Sequence, residues 1–182
     1  MNLRPEGPIP KMSKGLIKTE RLFLTPMALQ DAPFVLKLLN TKEWLENIGQ
    51  RNVHTIGDAE QYIQKKMILH FEKNGYGNYL MTRIDDGVKV GCVSLYNRED
   101  VEGVDIGFAM LPQYVRKGYA YEGSIAIMSL AKDEFDLASV CAFTSKDNLA
   151  SQKLIERLGM KFEKTILFGE EKEELLYYKL DY

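Results

Sequence analysis

The spacing of apolar residues changes along the chain between the pattern typical of strands and the pattern typical of helices. The stretch RLFLTP predicts a first strand that stops at Pro26. A helix follows in LQDAPFVLKLLN, with Asp31 as the N-cap and Pro33 in the first turn. Its apolar face should consist of Phe34, Val35, Leu38 and Leu39. A second helix is predicted after Thr55 and ends at NGYG, with buried positions at Ala59, Ile63, Met67 and Phe71.

The second half of the chain continues this alternation. NYLMTRI and VKVGCVSLY predict two strands joined at DDG, a strong hairpin turn, and VDIGFAML predicts a third strand. The next helix should bury Ala120, Ser124, Ile127, Met128, Ala131 and Phe135. LASVCAFTS then predicts a strand, DNLASQKLIERLG a helix, and KFEKTILF with ELLYYKL a closing hairpin.

These elements predict a single α/β domain of the mixed α+β kind, with seven strands and four helices. The strand–helix–strand unit from Asp105 to Ser145 implies a right-handed parallel crossover, whereas the hairpins on either side are antiparallel. The sheet should therefore be mixed. The domain is expected to span residues 16–182, after an irregular arm, residues 1–15, that carries three prolines and two glycines.

Composition narrows the function classes. The chain has 45% hydrophobic and 27% charged residues and a net charge of -2 without a dense basic stripe, which argues against nucleic-acid binding. Cys92 and Cys141 lie in apolar runs outside any CxxC pair, so we expect buried reduced thiols and a cytoplasmic protein. With only His54 and His70, far apart, no metal site is expected. No apolar run is long enough to span a membrane, and no signal-peptide pattern opens the chain.

The stretch LPQYVRKGYAYEG places two cations and a glycine directly ahead of a helix. The first N–H groups of a helix have no partner inside it, and the helix dipole makes that end positive. Arg116 and Lys117 add charge, and Gly118 lets an anion approach the backbone closely. The stretch is therefore a candidate site for a phosphate or pyrophosphate. Taken alone, the local sequence is more typical of a solvated loop.

Three stretches follow one another at a characteristic spacing: VDIGFAMLPQYVRKGYAYEG, SVCAFTSKDNLAS and LIERLGMKFE. Together they resemble the GNAT N-acetyltransferase superfamily, especially its branch of ribosomal-protein N-terminal alanine and serine acetyltransferases. The resemblance covers roughly residues 16–182 and implies a twisted sheet that splays between the fourth and fifth predicted strands. Two positions depart from the family pattern. Val115 replaces the usual Gln or Arg, and Ile155 replaces a tyrosine that serves many members as general acid.

The resemblance implies an enzyme that moves an acetyl group from acetyl-CoA to a primary amine, by direct attack on the thioester and without a metal. The pyrophosphate is expected on the loop from Val115 to Ala120, and the pantetheine arm along the splayed strand. A backbone N–H there would polarise the thioester carbonyl. The expected cofactor-binding residues are Ala109, Met110, Leu111, Val115, Arg116, Lys117, Gly118, Tyr119, Ala120 and Asn148.

Asp105 stands where many relatives carry a glutamate base, and its shorter side chain favours a water relay. It could equally be a strand-edge carboxylate paired with a surface cation, while Glu102 and Glu122 are weaker candidates. Ser151 lies where this branch approaches the sulfur, so its hydroxyl could protonate the leaving thiolate. Alternatively, Ser151 packs in the first helical turn and Asn148 is a simple N-cap.

Acceptor specificity is expected in TKEWLENIGQRNVHT and in the final hairpin, with Trp44, Arg51 and His54 as candidate substrate-binding residues. Each of the three could instead have a structural or surface role. The acceptor could be a protein N-terminus, a polyamine, an amino sugar or a small metabolite amine. The resemblance also makes a homodimer possible, and the closing strand ELLYYKLDY could serve as its interface. A catalytically silent acyl-CoA-binding or regulatory domain remains an alternative. A nucleotide-binding regulator is disfavoured because the chain has neither GxxxxGK[ST] nor GxGxxG after a strand.

Overall fold

A computed structural model describes residues 15–99 and 101–182. One mixed sheet forms the centre of the molecule, with its strands in the order β1-β2-β3-β4-β5-β6-β8-β7. The strands are β1 (Ile17–Lys18), β2 (Leu22–Pro26), β3 (Asn78–Arg83), β4 (Lys89–Asn97), β5 (Val104–Met110), β6 (Ser139–Ser145), β7 (Lys161–Phe168) and β8 (Glu173–Asp181).

The helices connect the strands and cover both faces of the sheet. They are α1 (Ala32–Leu39), α2 (Lys42–Asn47), α3 (Ile56–Tyr62), α4 (Leu69–Asn74), α5 (Tyr119–Asp133) and α6 (Leu149–Arg157). A π-helical segment, Ile63–Ile68, joins α3 to α4, so residues 56–74 form one helical stretch. Thr55 and Asp58 form a capping box at its start, and Gly75, with φ 78°, ends it.

The pairing of β5 with β6 differs from every other pairing in the described sheet. β4 and β5 are antiparallel and pair at seven positions, from Gly91 opposite Met110 to Asn97 opposite Val104. β5 and β6 are parallel and pair only where Asp105 lies opposite Cys141. Beyond that position the two strands part, which confirms the predicted splay and leaves one edge of β5 open toward its C-terminal end.

The predicted fold class is confirmed, and two counts are corrected. The sheet has eight strands rather than seven, because the two-residue strand β1 pairs with β2 through Ile17 and Lys18. The described chain has five helical stretches rather than four, because α2 lies inside a segment that we expected to be a connection. Its six residues include none that is buried, so no apolar face reveals it. The predicted N-terminal arm, apart from Gly15, lies outside the described residues.

Asp31 is the N-cap residue of α1, as predicted, but its side chain does not cap that helix. One carboxylate oxygen accepts the Ala28 N–H at 2.9 Å. The other lies 2.7 Å from Lys89 Nζ, and the carboxylate is almost fully buried. The side chain therefore ties the start of α1 to the sheet instead of satisfying a helix amide.

Hydrophobic packing on the two faces of the sheet gives two cores. Successive side chains of a strand point to opposite faces, so Met81 and Leu80 of β3 belong to different cores. Met81 packs with Ile127 of α5 on one face, and Leu80 packs with Val35 of α1 on the other. Cys92 and Cys141 are buried free thiols, as predicted. Within the described residues, no helix is both long and apolar enough to cross a membrane.

Candidate active site

The loop between β5 and α5, residues 115–120, presents an unusual run of free backbone amides; we call it the anion loop. Arg116 has φ 61° and Gly118 has φ 83°, so two left-handed residues flank Lys117. The N–H groups from Arg116 to Tyr121 donate to no acceptor in the part of the chain that the structure describes. Alternating left-handed backbone and a helix start form a concavity that attracts anions.

The side chains of the anion loop add positive charge and leave the amides accessible. Val115, Arg116 and Lys117 are exposed, and the Lys117 ammonium lies 5.4 Å from the centre of the Tyr114 ring. Tyr119 is buried beneath the loop, so its contribution at the surface is its backbone. The arrangement can hold a phosphate or diphosphate through several amides and two cations at once.

An ion pair outside the anion loop holds the first turn of α5, and sequence analysis missed it. Arg21 Nε lies 2.7 Å from Glu122 Oε2, and the Arg21 backbone N–H donates to Glu122 Oε1 at 2.7 Å. The Thr19 hydroxyl donates to the same Oε1 at 2.5 Å, and Arg21 Nη1 donates to the Lys117 carbonyl at 3.0 Å. Glu122, a weaker candidate for the base, is thus fully engaged in this contact.

The open edge of β5 leads from Asp105 to the anion loop. The Leu111 N–H donates to the Val90 carbonyl of β4 at 2.9 Å. Backbone groups alternate in direction along a strand, so those of Met110 point away from β4 and toward the gap beside β6. Of the three predicted residues here, Met110 therefore offers its backbone to a ligand in the gap, while the Leu111 amide is already paired.

Asp105 is buried on β5 and paired with a cation that sequence analysis did not identify. Its residue is 3% exposed, and Arg98 Nε donates to Oδ1 at 2.7 Å. Burial raises the pKa of the Asp105 carboxyl, and the Arg98 guanidinium counteracts this rise. Oδ2 has no hydrogen-bond partner among the described residues, so one carboxylate oxygen remains available.

Aromatic rings surround the Arg98 guanidinium. Its carbon lies 4.9 Å from the ring centre of Tyr96, 5.7 Å from that of Phe143 and 5.9 Å from that of Phe168. Cation–π attraction and the ion pair together hold the guanidinium over Asp105. A signal for this contact exists in the sequence, because a hairpin that pairs Tyr96 with Asp105 brings the residues just after Tyr96 back toward that carboxylate.

Asn148 and Ser151 stand at the start of α6, directly after β6. Asn148 Oδ1 accepts the Ser151 N–H at 3.1 Å, so the N-cap contact is present and the Asn148 amide nitrogen remains available. The Ser151 hydroxyl has no hydrogen-bond partner within the described residues. Ile155 is 1% exposed in the core, which places a packing residue where many relatives have a tyrosine acid.

The three predicted acceptor-binding residues do not come together. Trp44 is half-buried and its Nε1 donates to the Gly49 carbonyl at 3.1 Å. The Arg51 guanidinium donates to backbone carbonyls of its own loop, and the His54 ring is exposed. Arg51 also lines a shallow depression with Tyr62 and Lys66, outside which Trp44 and His54 lie.

Tyr96 contacts Lys66, which lines the depression, and pairs with Asp105 in the sheet. The Tyr96 hydroxyl donates to the Lys66 carbonyl at 3.2 Å, and the Asn78 amide donates to that hydroxyl. Tyr96 lies beside Asp105 in the paired register of β4 and β5. Tyr96 therefore links a residue that lines the depression to the strand that carries Asp105, and the open edge of β5 extends from Asp105 toward the anion loop.

A mixed sheet that splays at a parallel pair, followed by an amide-rich helix start, is the class of fold and site that the three sequence motifs predicted. The family model for the acetyltransferase (GNAT) domain matches residues 21–161. This match extends over more than half of the chain, and the protein therefore belongs to the GNAT acetyltransferases, as the sequence motifs predicted. It is an N-acetyltransferase by family.

Individual relatives agree with this membership. The uncharacterised N-acetyltransferase YoaA of Bacillus subtilis is 26% identical over 149 residues, which cover 81% of this chain and 84% of that protein. The structure of RimL, the ribosomal L7/L12 α-N-protein acetyltransferase, in complex with coenzyme A superposes with a TM-score of 0.79 at 19% identity and covers 91% of this chain and 97% of RimL. The structure of the microcin C7 self-immunity acetyltransferase MccE, in complex with acetyl-CoA and AMP, superposes with a TM-score of 0.79 at 17% identity. The match covers 94% of this chain and 98% of MccE. At these identities the structural likeness shows the fold.

Proposed function

We propose that the protein transfers an acetyl group from acetyl-CoA to a primary amine, by direct attack of the amine on the thioester. The observation that carries the proposal is the run of unpaired amides in the anion loop beside the open edge of β5, within a GNAT domain. The CoA complexes of RimL and MccE support acetyl-CoA as the donor. Bound there, the donor would supply an activated acetyl carbonyl.

The anion loop binds the diphosphate in this proposal. Its amides from Arg116 to Tyr121 donate to the diphosphate oxygens, and Arg116 and Lys117 contribute charge. The backbone of Met110 pairs with the amide-bearing pantetheine arm, as a neighbouring strand would. The Asn148 amide nitrogen, left free by its N-cap contact, donates to the same arm from the other side of the gap.

Asp105 acts as the general base in this proposal. A protonated amine must lose a proton before it can attack, and a carboxylate accepts that proton directly or through water. Arg98 holds Oδ1 and favours the ionised form, while Oδ2 receives the proton. Because the carboxylate is almost fully buried and short, a single bridging water is the route that we favour.

Ser151 protonates the departing thiolate in this proposal, and its hydroxyl takes up a proton from solvent in the same step. Its hydroxyl is free of contacts among the described residues and lies in the first turn of α6, beside the gap. A CoA thiolate has a conjugate pKa near about 8.5, so this proton transfer is only a modest contribution to the rate.

The acceptor class is a primary amine, either a protein N-terminus or a small molecule. RimL and MccE superpose equally well on this chain, yet one is named for ribosomal L7/L12 and the other for microcin C7 self-immunity, so the fold does not choose the acceptor. We infer that the depression lined by Arg51, Tyr62 and Lys66 receives it, because Tyr96 connects this depression to Asp105. Trp44 lies on α2 and His54 lies just before α3, so in this proposal both contribute only to the surface around the depression.

The test is a thiol-release screen with acetyl-CoA against N-terminal peptides, polyamines and aminoglycosides, combined with calorimetry of CoA binding. The D105N variant should lower turnover at least about tenfold and leave CoA affinity nearly unchanged, because it removes the base but not the anion loop. The E102Q variant is the control, since Glu102 is exposed and pairs with Lys164.

Each outcome of the screen is informative. Unchanged turnover in D105N would assign the base elsewhere. CoA binding without thiol release across the whole panel would favour the catalytically silent acyl-CoA-binding domain. No CoA binding at millimolar concentration would reject the donor site itself.

A further inference from the structure

The conformation of the anion loop requires an external support. Arg116 is a non-glycine residue in the left-handed region, which costs on the order of 1–3 kcal/mol and persists only where neighbours hold it. Lys117 lies between the two left-handed residues, and its carbonyl is bound by Arg21 Nη1 at 3.0 Å. This contact fixes the orientation of the peptide between Lys117 and Gly118. The neighbouring amides of the anion loop point outward only while this peptide keeps that orientation.

Arg21 is held in turn by Glu122. The ion pair at 2.7 Å and the backbone contact at 2.7 Å attach the turn between β1 and β2 to the first turn of α5. Arg21 also lies over the Tyr119 ring, with its guanidinium carbon 4.6 Å from the ring centre. A methyl group at Gly118 would lie 3.1 Å from Arg21 Nη2, so the guanidinium packs directly against the anion loop.

We infer that Arg21 and Glu122 are positioning residues that preform the anion loop for the diphosphate of the donor. This inference rests on the proposed function and adds two residues that do not themselves need to touch the ligand. Glu122 holds Arg21, Arg21 holds the Lys117 carbonyl, and the amides from Arg116 to Tyr121 stay directed outward. Without this brace the loop would relax, and the donor would have to order it on binding.

The sign of the change in CoA affinity on removing the Glu122 carboxylate tests this inference. An effect of net charge alone and the loss of a positioning contact predict changes in opposite directions. Removing an anion beside a diphosphate site should strengthen CoA binding if only the net charge matters. If Glu122 works through Arg21, the E122Q variant should weaken CoA binding about fivefold or more, because Gln cannot accept the Arg21 Nε hydrogen with its amide nitrogen. R21Q should weaken binding at least as much, and the double variant should be no worse than R21Q.

The measurements are calorimetry with CoA and, with an acceptor from the screen, kinetics with acetyl-CoA and with S-acetylpantetheine, which lacks the diphosphate. The KM for acetyl-CoA should rise with little change in kcat, and kcat/KM for S-acetylpantetheine should stay within about twofold. D133N, which removes a carboxylate at the other end of α5, is the charge control. V35A, in the opposite core, is the control for lower stability.

The outcomes separate this inference from the proposed function. Wild-type protein that fails to bind CoA rejects the proposed function. Wild-type protein that binds CoA, together with an E122Q variant of equal or higher affinity, overturns the inference alone. Equal losses with both donors would also overturn it, because a purely structural role affects them alike. Should R21Q fail to fold, faster amide exchange confined to residues 122–124 of E122Q, whose first amide donates to the Gly118 carbonyl, supports the brace, and unchanged exchange there contradicts it.

Discussion

Asp105 and Arg98 form an ion pair whose two members experience different surroundings. The carboxylate is buried between β4 and β6, where Tyr96 and Cys141 are its neighbours, and the guanidinium is about four-tenths exposed at the surface. Burial raises the pKa of Asp105, and Arg98 lowers it. The pH at which the proposed base becomes ionised therefore depends on one partly exposed cation.

The R98Q variant should shift the acid limb of kcat/KM to higher pH. Removing the guanidinium leaves burial uncompensated, so the pKa of Asp105 rises further and the ionised base is present only at higher pH. The variant should also lose about 1–3 kcal/mol of stability at neutral pH, because a buried carboxylate loses its partner. The measurements are a pH–rate profile and a denaturant titration at pH 7.

The K164Q variant is the matched control for this profile. Lys164 pairs with exposed Glu102 close to the same surface, so its loss changes the local charge but not the contact to Asp105. An acid limb that moves equally in R98Q and K164Q, or in neither, would show that Arg98 does not tune the base.

At the scale of residues, contacts between sequence neighbours were predictable from the sequence, and contacts between distant residues were not. The cations and glycine before α5 are adjacent in sequence, so their common site was predictable. Arg21 and Glu122 are far apart in the chain, and no local pattern connects them. Their contact depends on how α5 lies beside the turn between β1 and β2, which is a property of the folded sheet.

At the scale of elements, the end of β5 is constrained by a glycine on its neighbour. A methyl group at Gly91 would overlap the Ala109 carbonyl oxygen and lie 2.5 Å from Met110 Sδ. The position therefore requires glycine for close approach of two strands. It sets how β5 leaves β4 just before the anion loop.

The G91A variant should lose about 1–3 kcal/mol of stability, because the backbone of β5 must move to admit the methyl group. Since the displaced residues include Met110, the KM for acetyl-CoA should rise as well. Thermal unfolding and donor-dependent kinetics measure the two effects.

The G107A variant is the control on the same strand pair. A methyl group at Gly107 would meet only the Ser94 hydroxyl, at 3.1 Å, and a side chain can adjust more easily than a backbone carbonyl. Equal stability losses in G91A and G107A would contradict the assigned role of close backbone approach.

Elements with a strong local signal were predictable, and elements without one were not. The hairpin at DDG and the helix after Thr55 combine turn or cap residues with a regular apolar spacing, and both are present. β1 has two residues and α2 has no buried face, so neither produces a periodic pattern. The place of β8 between β6 and β7 follows from long-range pairing, which the sequence does not display.

At the scale of the whole molecule, His70 connects the helical layer to the sheet. Its Nδ1 donates to the Tyr76 carbonyl at 3.1 Å, and its Nε2 accepts the Asn97 N–H of β4 at 3.3 Å. The Nε2 contact requires the neutral ring, because a protonated imidazole has no acceptor nitrogen, whereas the Nδ1 contact persists in both states. Burial is the main cause that lowers the pKa of His70; the contact to the Tyr76 carbonyl opposes it, and nearby Arg98 and Lys73 lower the pKa further.

Stability should therefore fall as the pH drops below about 6.5, the ordinary histidine pKa, toward the lower pKa of the folded state. In that window the unfolded chain binds a proton that the folded protein does not. The H70Q variant should be less stable at pH 7.5 but should lose less additional stability between pH 7.5 and 5.5. Denaturant titrations at both pH values measure the difference.

The exposed His54 provides the control, because the chain has only these two histidines. H54Q should keep the pH dependence of the wild type. If the free energy of unfolding falls by the same amount in H70Q and in the wild type between pH 7.5 and 5.5, the neutral ring of His70 does not link the helical layer to the sheet.

Family membership was predictable at this scale because three motifs in order determine a single topology. The acceptor was not predictable, since RimL and MccE share the fold to the same extent although their names refer to different targets. Acceptor choice depends on a few side chains along one cleft, and these can change without altering the sheet.

The position of β8 in the sheet has a consequence for how the protein is made. β6 joins β5 at one register position only, and its extensive pairing is with β8, which also carries β7. On the ribosome, residues 139–168 are synthesised before β8 exists, so this part of a nascent chain lacks its main partner until residues 173–181 leave the exit tunnel. The side of the gap that β6 forms is therefore completed only after β8 has been translated.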